Sequence, residues 1–130
     1  MKDESRIWLD YAEENLSSAR LLFENKLYNP CLQNVQQSVE KAFKALLIQR
    51  LGKVKKTHST VELNNIAIQI GLHVEITEEE CDFLDTIYLP SKYPLQSVLP
   101  DFYPDHQICH DSIRIAEKVL SSVKNELSIS

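Results

Sequence analysis

From Ile7 onward the apolar residues recur in steps of three and four, at Trp8, Tyr11, Ala12, Leu16, Ala19, Leu22 and Phe23. That spacing lays one apolar stripe along a helix, with Glu13, Glu14, Ser17 and Arg20 on its other side and an end near Asn25. A second stripe opens with Cys31 and Leu32 and continues through Val35, Val39, Ala42, Phe43, Leu46 and Leu47. Asn29 is placed to cap this helix and Pro30 to take its first position, where a missing N–H has no partner to lose. Gly52 is placed to close it in a left-handed conformation. Two long amphipathic helices joined by about four residues are expected to pack antiparallel.

Ser59 and Glu62 form an S-x-x-E capping box, and Leu63, Ile66, Ala67 and Ile70 supply the apolar face of a third helix that stops at Gly71. A second box, Thr77 with Glu80, starts a fourth, with Cys81, Leu84, Ile87 and Tyr88 pointing inward and Pro90 at its end. Residues 90 to 104 hold prolines 90, 94, 100 and 104 among Tyr93, Phe102 and Tyr103, which reads as a stiff aromatic loop. The last helix starts around Pro104 and carries Cys109, Ile113, Ala116, Leu120, Val123 and Leu127 inward. No run alternates long enough to require a strand. The pattern predicts one all-α domain over residues 1–130, an up-and-down four-helix bundle with an additional short helix, five helical segments in all.

Composition narrows the partners. The net charge of −5 repels phosphate backbones and anionic lipid as a whole, so any nucleic-acid contact must be local. With an acidic start and no long apolar run the chain is expected in the cytoplasm, with no membrane span. Cys31, Cys81 and Cys109 are an odd number and far apart, which predicts buried small hydrophobes rather than disulfides.

Candidate chemistry lies on the second helix. Gln36, Gln37, Glu40, Lys41 and Lys44 fill the sides that the stripe leaves, with Glu40 and Lys44 at ion-pair spacing. They are either a solvated face or a polar strip turned to another helix or a ligand. Arg50, Lys53, Lys55 and Lys56 make a concentrated basic patch, and with His58 they are placed to receive a phosphate at the start of helix three, where backbone N–H groups point. His106, Cys109 and His110, beside Asp105, have a one-face spacing that zinc could use, but Cys109 also fits the inner stripe and no second ligand pair has metal spacing, so neither metal nor cofactor is expected. Glu75, Glu78, Glu79, Glu80, Asp82 and Asp85 crowd the start of helix four, where carboxylates favour the helix dipole. Gly52 and Gly71 are the only glycines, so there is no glycine-rich phosphate loop; nor is there a Gly-Ser with downstream paired aspartates, so the chain is not expected to be a nucleotidyltransferase itself.

The ordered set Gln36, Gln37, Glu40, Lys41, Lys44, Ala45, Leu46, then Thr57 and His58, resembles the Q-Q-x-x-E-K-x-x-K-A-L signature and following Thr-His of the HEPN (higher eukaryotes and prokaryotes nucleotide-binding) family. Tyr88, Leu89, Pro90, Ser91, Lys92, Tyr93 and Pro94 are similar to its loop, where Thr-Arg-Tyr-Pro-Asp is common. Lys92 and Leu95 replace the arginine and aspartate, so a guanidinium fork is missing at that point. The Arg-x4-6-His spacing of the family's metal-independent ribonucleases is absent after Arg6, Arg20, Arg50 and Arg114; Lys53 to His58 has the separation but a lysine.

The resemblance implies a non-catalytic nucleotide-, RNA- or partner-binding module, a homodimer by default. It implies a separately encoded minimal nucleotidyltransferase as partner, in a toxin–antitoxin-like pair. The ligand-binding residues would be Gln36, Gln37, Glu40, Lys44, Lys53, Lys56, His58, Lys92 and Tyr93. The alternative is a ribonuclease toxin that uses His58 or the His106 and His110 pair.

Overall fold

The computed structural model describes the backbone of residues 1–92 and 103–129 and the side chains of 1–87 and 103–128. Its five helices are α1 (Asp3–Glu24), α2 (Tyr28–Leu51), α3 (Thr60–Gln69), α4 (Glu78–Lys92) and α5 (His106–Ile129). Among the described residues there is no strand. The all-α bundle with one short helix is therefore as the periodicity predicts.

Cross-contacts give the directions. Lys2 N bonds Gln49 Oε1, Ser38 Oγ donates to the Ala12 carbonyl and Asn15 donates to Asn34, so α1 and α2 run antiparallel. Arg20 pairs with Glu117 and Lys124 with Glu13, so α5 is antiparallel to α1. Helix α2 packs against each of the others. Its stripe of Leu32, Val35, Val39, Ala42, Phe43, Leu46 and Leu47 is fully buried, which makes it the axis of the core.

Chain reversals follow the local chemistry. Gly52, at φ 80°, closes α2 with its N–H on the Ile48 carbonyl. Gly71, also at φ 80°, ends α3: its N–H reaches the Ile68 carbonyl and that of Leu72 reaches Ala67, the paired bonds of a Schellman turn. The same turn ends α1 with Lys26 at φ 60°, a position that no glycine marks in the sequence.

Several expectations need correction. Helix α2 begins at Tyr28, after Leu27 and with no side-chain cap, so Asn29 is inside the helix rather than its cap. Pro30 still falls in the first turn, where its missing N–H costs nothing. Helix α4 passes Pro90 and ends at Lys92; a proline this close to a helix end removes one backbone bond without stopping the turn. The inner face of α1 is Ser5, Leu9, Ala12, Leu16 and Ala19. Tyr11, assigned to the stripe, is half exposed, because small residues at 5, 12 and 19 let α1 lie close to α2 along a line rotated away from it. Tyr93 lies outside the described residues, as do the side chains of Tyr88 and Lys92.

Candidate functional site

The polar set on α2 is not a solvated face. Gln36, Glu40 and Lys44 are 1%, 2% and 8% exposed, on the side turned toward α1 and the segment before α3. Glu40 is the hub: Oε2 accepts from Lys44 Nζ at 2.8 Å, and Oε1 accepts from Gln36 Nε2 at 3.1 Å and meets His58 Nδ1 at 3.0 Å. Gln36 Nε2 also reaches the His58 carbonyl at 3.4 Å, and its Oε1 accepts from Gln37 Nε2 at 2.7 Å. Lys44 Nζ lies 5.2 Å from the centroid of the Trp8 ring on α1, an arrangement that stabilises a cation.

Burial alone would push the Glu40 carboxyl up. The hydrogen bonds from Lys44, Gln36 and His58, with the Lys44 charge, outweigh it and hold the group below the usual carboxylate value. Glu40 is thus ionised at neutral pH and can only accept, so Nδ1 of His58 carries the hydrogen. The imidazole is oriented at its buried edge while its side chain stays 60% exposed.

A second polar chain runs beside the first. Lys41 Nζ donates to Asn15 Oδ1 at 2.9 Å, Asn15 Nδ2 to Asn34 Oδ1 at 2.9 Å, and Asn34 Nδ2 to the Pro30 carbonyl at 2.9 Å. Helix-interior asparagines are poor helix formers; here each ties α1 to α2.

The start of α3 is already occupied. Ser59 Oγ accepts from Glu62 N, as the capping box predicts. Asp85 of α4 takes the Ser59 hydroxyl at 2.7 Å, the Thr60 N–H at 2.6 Å and the Val61 N–H at 3.1 Å. Glu62 does not reach back to Ser59 N but accepts from Thr57 Oγ1, which in turn accepts from Ser59 N. The N–H groups expected to meet a phosphate therefore serve a carboxylate of the chain itself. The Thr-His pair braces this junction, Thr57 on the cap and His58 on Glu40.

The basic patch is spread out. Arg50 donates to the Glu126 carbonyl at 3.0 Å and Lys55 pairs with Glu62 at 2.5 Å. Lys53 and Lys56 are exposed, and among the described residues neither has an ion pair or a hydrogen bond to the seam. At the other end of the bundle, Cys109 turns inward and its thiol donates to the Tyr28 carbonyl, while the His106 and His110 rings lie against Phe23 at 4.7 and 6.2 Å. Among the described residues no group of three or more His, Cys, Asp or Glu is gathered to hold a metal. All three cysteines are buried and free, and burial, with the charges of Asp85, Asp82 and Glu80, pushes the Cys81 thiol up to about 12.

Sequence reasoning did not find Trp8, Asn15, Asn34, Ser38 or Asp85. Their partners on other elements lie 19 or more residues away, so no local spacing marks those contacts; Trp8 and Asn15 alone carried a signal, as a large ring and an amide flanking an apolar stripe.

An all-helical bundle whose central helix carries a buried Gln-Glu-Lys seam, closed by a histidine from the next loop, defines a class of small helical module. The chain matches the HEPN domain over residues 5–126 and belongs to that family. It is similar to TT1696 from Thermus thermophilus, whose crystal structure superposes with a TM-score of 0.77 at 26% identity, covering 96% of this chain and 99% of that one. It is also similar to ST0689, an archaeal HEPN homologue, at TM-score 0.73 and 28% identity over 97% and 98% of the two chains. Over 63 residues it is 33% identical to MJ0605 of Methanocaldococcus jannaschii, named as a candidate toxin, a match spanning 48% of this chain and 47% of that protein. Among the described residues no helix is long and apolar enough to cross a membrane.

Proposed function

We propose that the chain is the HEPN member of a toxin–antitoxin-like pair and acts by binding rather than by catalysis. The seam edge formed by His58, Gln37 and Lys44 would meet a nucleotide, RNA or protein partner. The observation that carries this reading is the Glu40 hub: it immobilises Gln36, Lys44 and His58 while leaving the imidazole at the surface. Groups fixed before a ligand arrives lose little freedom on binding. The similarity to MJ0605 supports the toxin side of the pair. A separately encoded minimal nucleotidyltransferase is the partner that the family pattern suggests, and the working form is a homodimer.

The test is titration with nucleotides, RNA and a co-expressed nucleotidyltransferase, wild type against His58→Ala with Gln37→Ala. A loss of about tenfold in affinity with an unchanged melting temperature is expected; equal affinity overturns the assignment of the seam.

A second reading rests on the His58 tautomer. A ring held through Nδ1–H by an ionised carboxylate is the arrangement that orients a general base, so His58 could act on a 2′-hydroxyl. The family's Arg-x4-6-His spacing is missing. Incubation with total RNA discriminates: cleavage lost on His58→Ala, and kept on His106→Ala and His110→Ala, would establish a ribonuclease, and no cleavage leaves binding as the function.

A further inference from the structure

Where α2 ends at Gly52, the chain turns back across the end of α3 and leaves a groove of about 490 Å³ between them. Leu47, Leu51, Val54 and Ile66 form its floor, and Lys53 and Lys55 stand at its rim. Leu51 is 47% exposed, a large apolar side chain that covers nothing fully. Ile70, which follows the last residue of α3, is exposed rather than on the inner face that the sequence pattern gave it.

Charge selects among occupants. Residues 49 to 61 contain no acidic side chain, although the chain carries −5. Within the stretch Arg50 is engaged by Glu126 and Lys55 by Glu62, which leaves the charges of Lys53 and Lys56 uncompensated among the described residues. A long-range field of the wrong sign with a local excess of cation favours an anionic group brought by a partner that docks at close range.

The floor decides which anion. It holds Leu, Val and Ile with no aromatic ring, so it offers no platform on which a base could stack, and the N–H groups of the adjoining helix start are spent on Asp85. Two uncompensated lysines fall short of the four to eight that hold a segment to anionic lipid. Apolar floor and cationic rim together fit a helix that presents leucine-like side chains one turn apart with carboxylates beside them.

We propose that this groove docks an acidic amphipathic helix of a protein partner, its apolar side chains on Leu51, Val54 and Ile66 and its carboxylates against Lys53 at the rim and Lys56 on the same loop. The proposal rests on the reading that the chain works beside a protein partner, but uses a surface separate from the α2 seam.

The experiment follows fluorescence anisotropy of a labelled amphipathic leucine–glutamate peptide titrated with the full chain, in parallel with a leucine–lysine peptide, an oligoadenylate RNA and phosphatidylserine vesicles. The leucine–glutamate peptide is expected to bind, and to weaken about tenfold with Lys53→Glu plus Lys56→Glu and again with Leu51→Asp. Both variants alter exposed side chains, and an unchanged circular dichroism melt separates lost docking from lost fold. His58→Ala is expected to leave the peptide affinity unchanged, so a failed seam and a failed groove give different results. Equal binding of the two peptides, no binding of the acidic one, or indifference to Leu51→Asp overturns the proposal. Loss of RNA or vesicle binding on the same substitutions, with the peptide unaffected, overturns it in favour of those ligands.

Discussion

Lys44 Nζ stands 2.8 Å from Glu40 Oε2, one turn along the most buried helix of the bundle. An ion pair in that position is strong in its own geometry and costly to make, because both charges leave water. What offsets the cost is the number of partners: Glu40 takes further bonds from Gln36 and His58, and Lys44 lies against the Trp8 ring.

Breaking the pair on one side is therefore expected to hurt more than removing it. Glu40→Ala leaves a buried ammonium and an amide without their acceptor, and should cost about 3 kcal/mol, the lower end for a broken buried pair because the lysine can reach toward solvent. Glu40→Leu with Lys44→Met should recover most of that loss. Urea unfolding of Glu40→Leu, Lys44→Met and their double, beside Glu40→Ala, checks it; additive losses in the two component singles would show that the two side chains do not act as a pair.

Acid should weaken the fold through the same hub. The Glu40 carboxyl binds its proton less readily when folded than when unfolded. Its contribution is therefore complete above the unfolded value near 4.5 and is lost as pH falls through the lower, folded value. Glu80 behaves likewise: burial would raise it, but the Thr77 N–H and Lys118 outweigh that. Stability is expected to be flat from neutral pH down to about 5 and to fall below it, with Glu40→Gln less stable at pH 7 and showing a shallower acid limb. An acid limb of unchanged slope in Glu40→Gln would remove Glu40 from this account.

Asp85 joins α4 to the first turn of α3 by three hydrogen bonds, to Ser59 Oγ, Thr60 N and Val61 N. Charge-assisted bonds of this kind contribute about 1.5 to 3 kcal/mol, so Asp85→Ala should destabilise the chain by about 2 kcal/mol. Asp85→Asn, which keeps an acceptor oxygen, should lose less. Amide exchange is the direct readout, because protection of Thr60 and Val61 should drop before that of the α2 core; uniform loss across the molecule would place the role of Asp85 elsewhere.

The contrast between Ser59 and Asp85 shows what the sequence could reveal. A cap that satisfies an N–H three residues away leaves its mark in the spacing, so Ser59, Thr77, Gly52 and Gly71 were legible, and so were Cys109, Ile113, Ala116, Leu120, Val123 and Leu127 on the inner face of α5, though not Ser112, Ile115 and Val119, which are buried with them. Asp85 is 24 to 26 residues from the groups it binds, and its place in an acidic run suggested only the dipole of its own helix. The seam was legible in composition but not in burial: the same periodicity that puts Gln36, Glu40 and Lys44 off the apolar stripe fits a wet face as well as a buried one. What decides is that α2 is surrounded, and contacts between elements leave no local trace. Lys26 at the end of α1 is silent for a related reason, since tertiary packing imposes a left-handed residue where propensity would choose glycine.

Ser5 provides the sharpest check on the packing of α1. It is fully buried on the face turned to the core, and its hydroxyl has no hydrogen-bond partner among the described residues. A hydroxyl taken from water without a replacement bond costs about 1 to 3 kcal/mol, and alanine has the better helix propensity by a few tenths more. Ser5→Ala should therefore stabilise the chain by about 1 kcal/mol, since the space left by one oxygen offsets part of the gain. Ser38, whose hydroxyl donates to the Ala12 carbonyl at 2.8 Å across the same α1–α2 contact, is the control, and Ser38→Ala should destabilise by about the same amount. Thermal or urea unfolding of the two variants is enough: losses of equal size in both would mean that Ser5 is hydrogen-bonded after all and that α1 sits differently on α2.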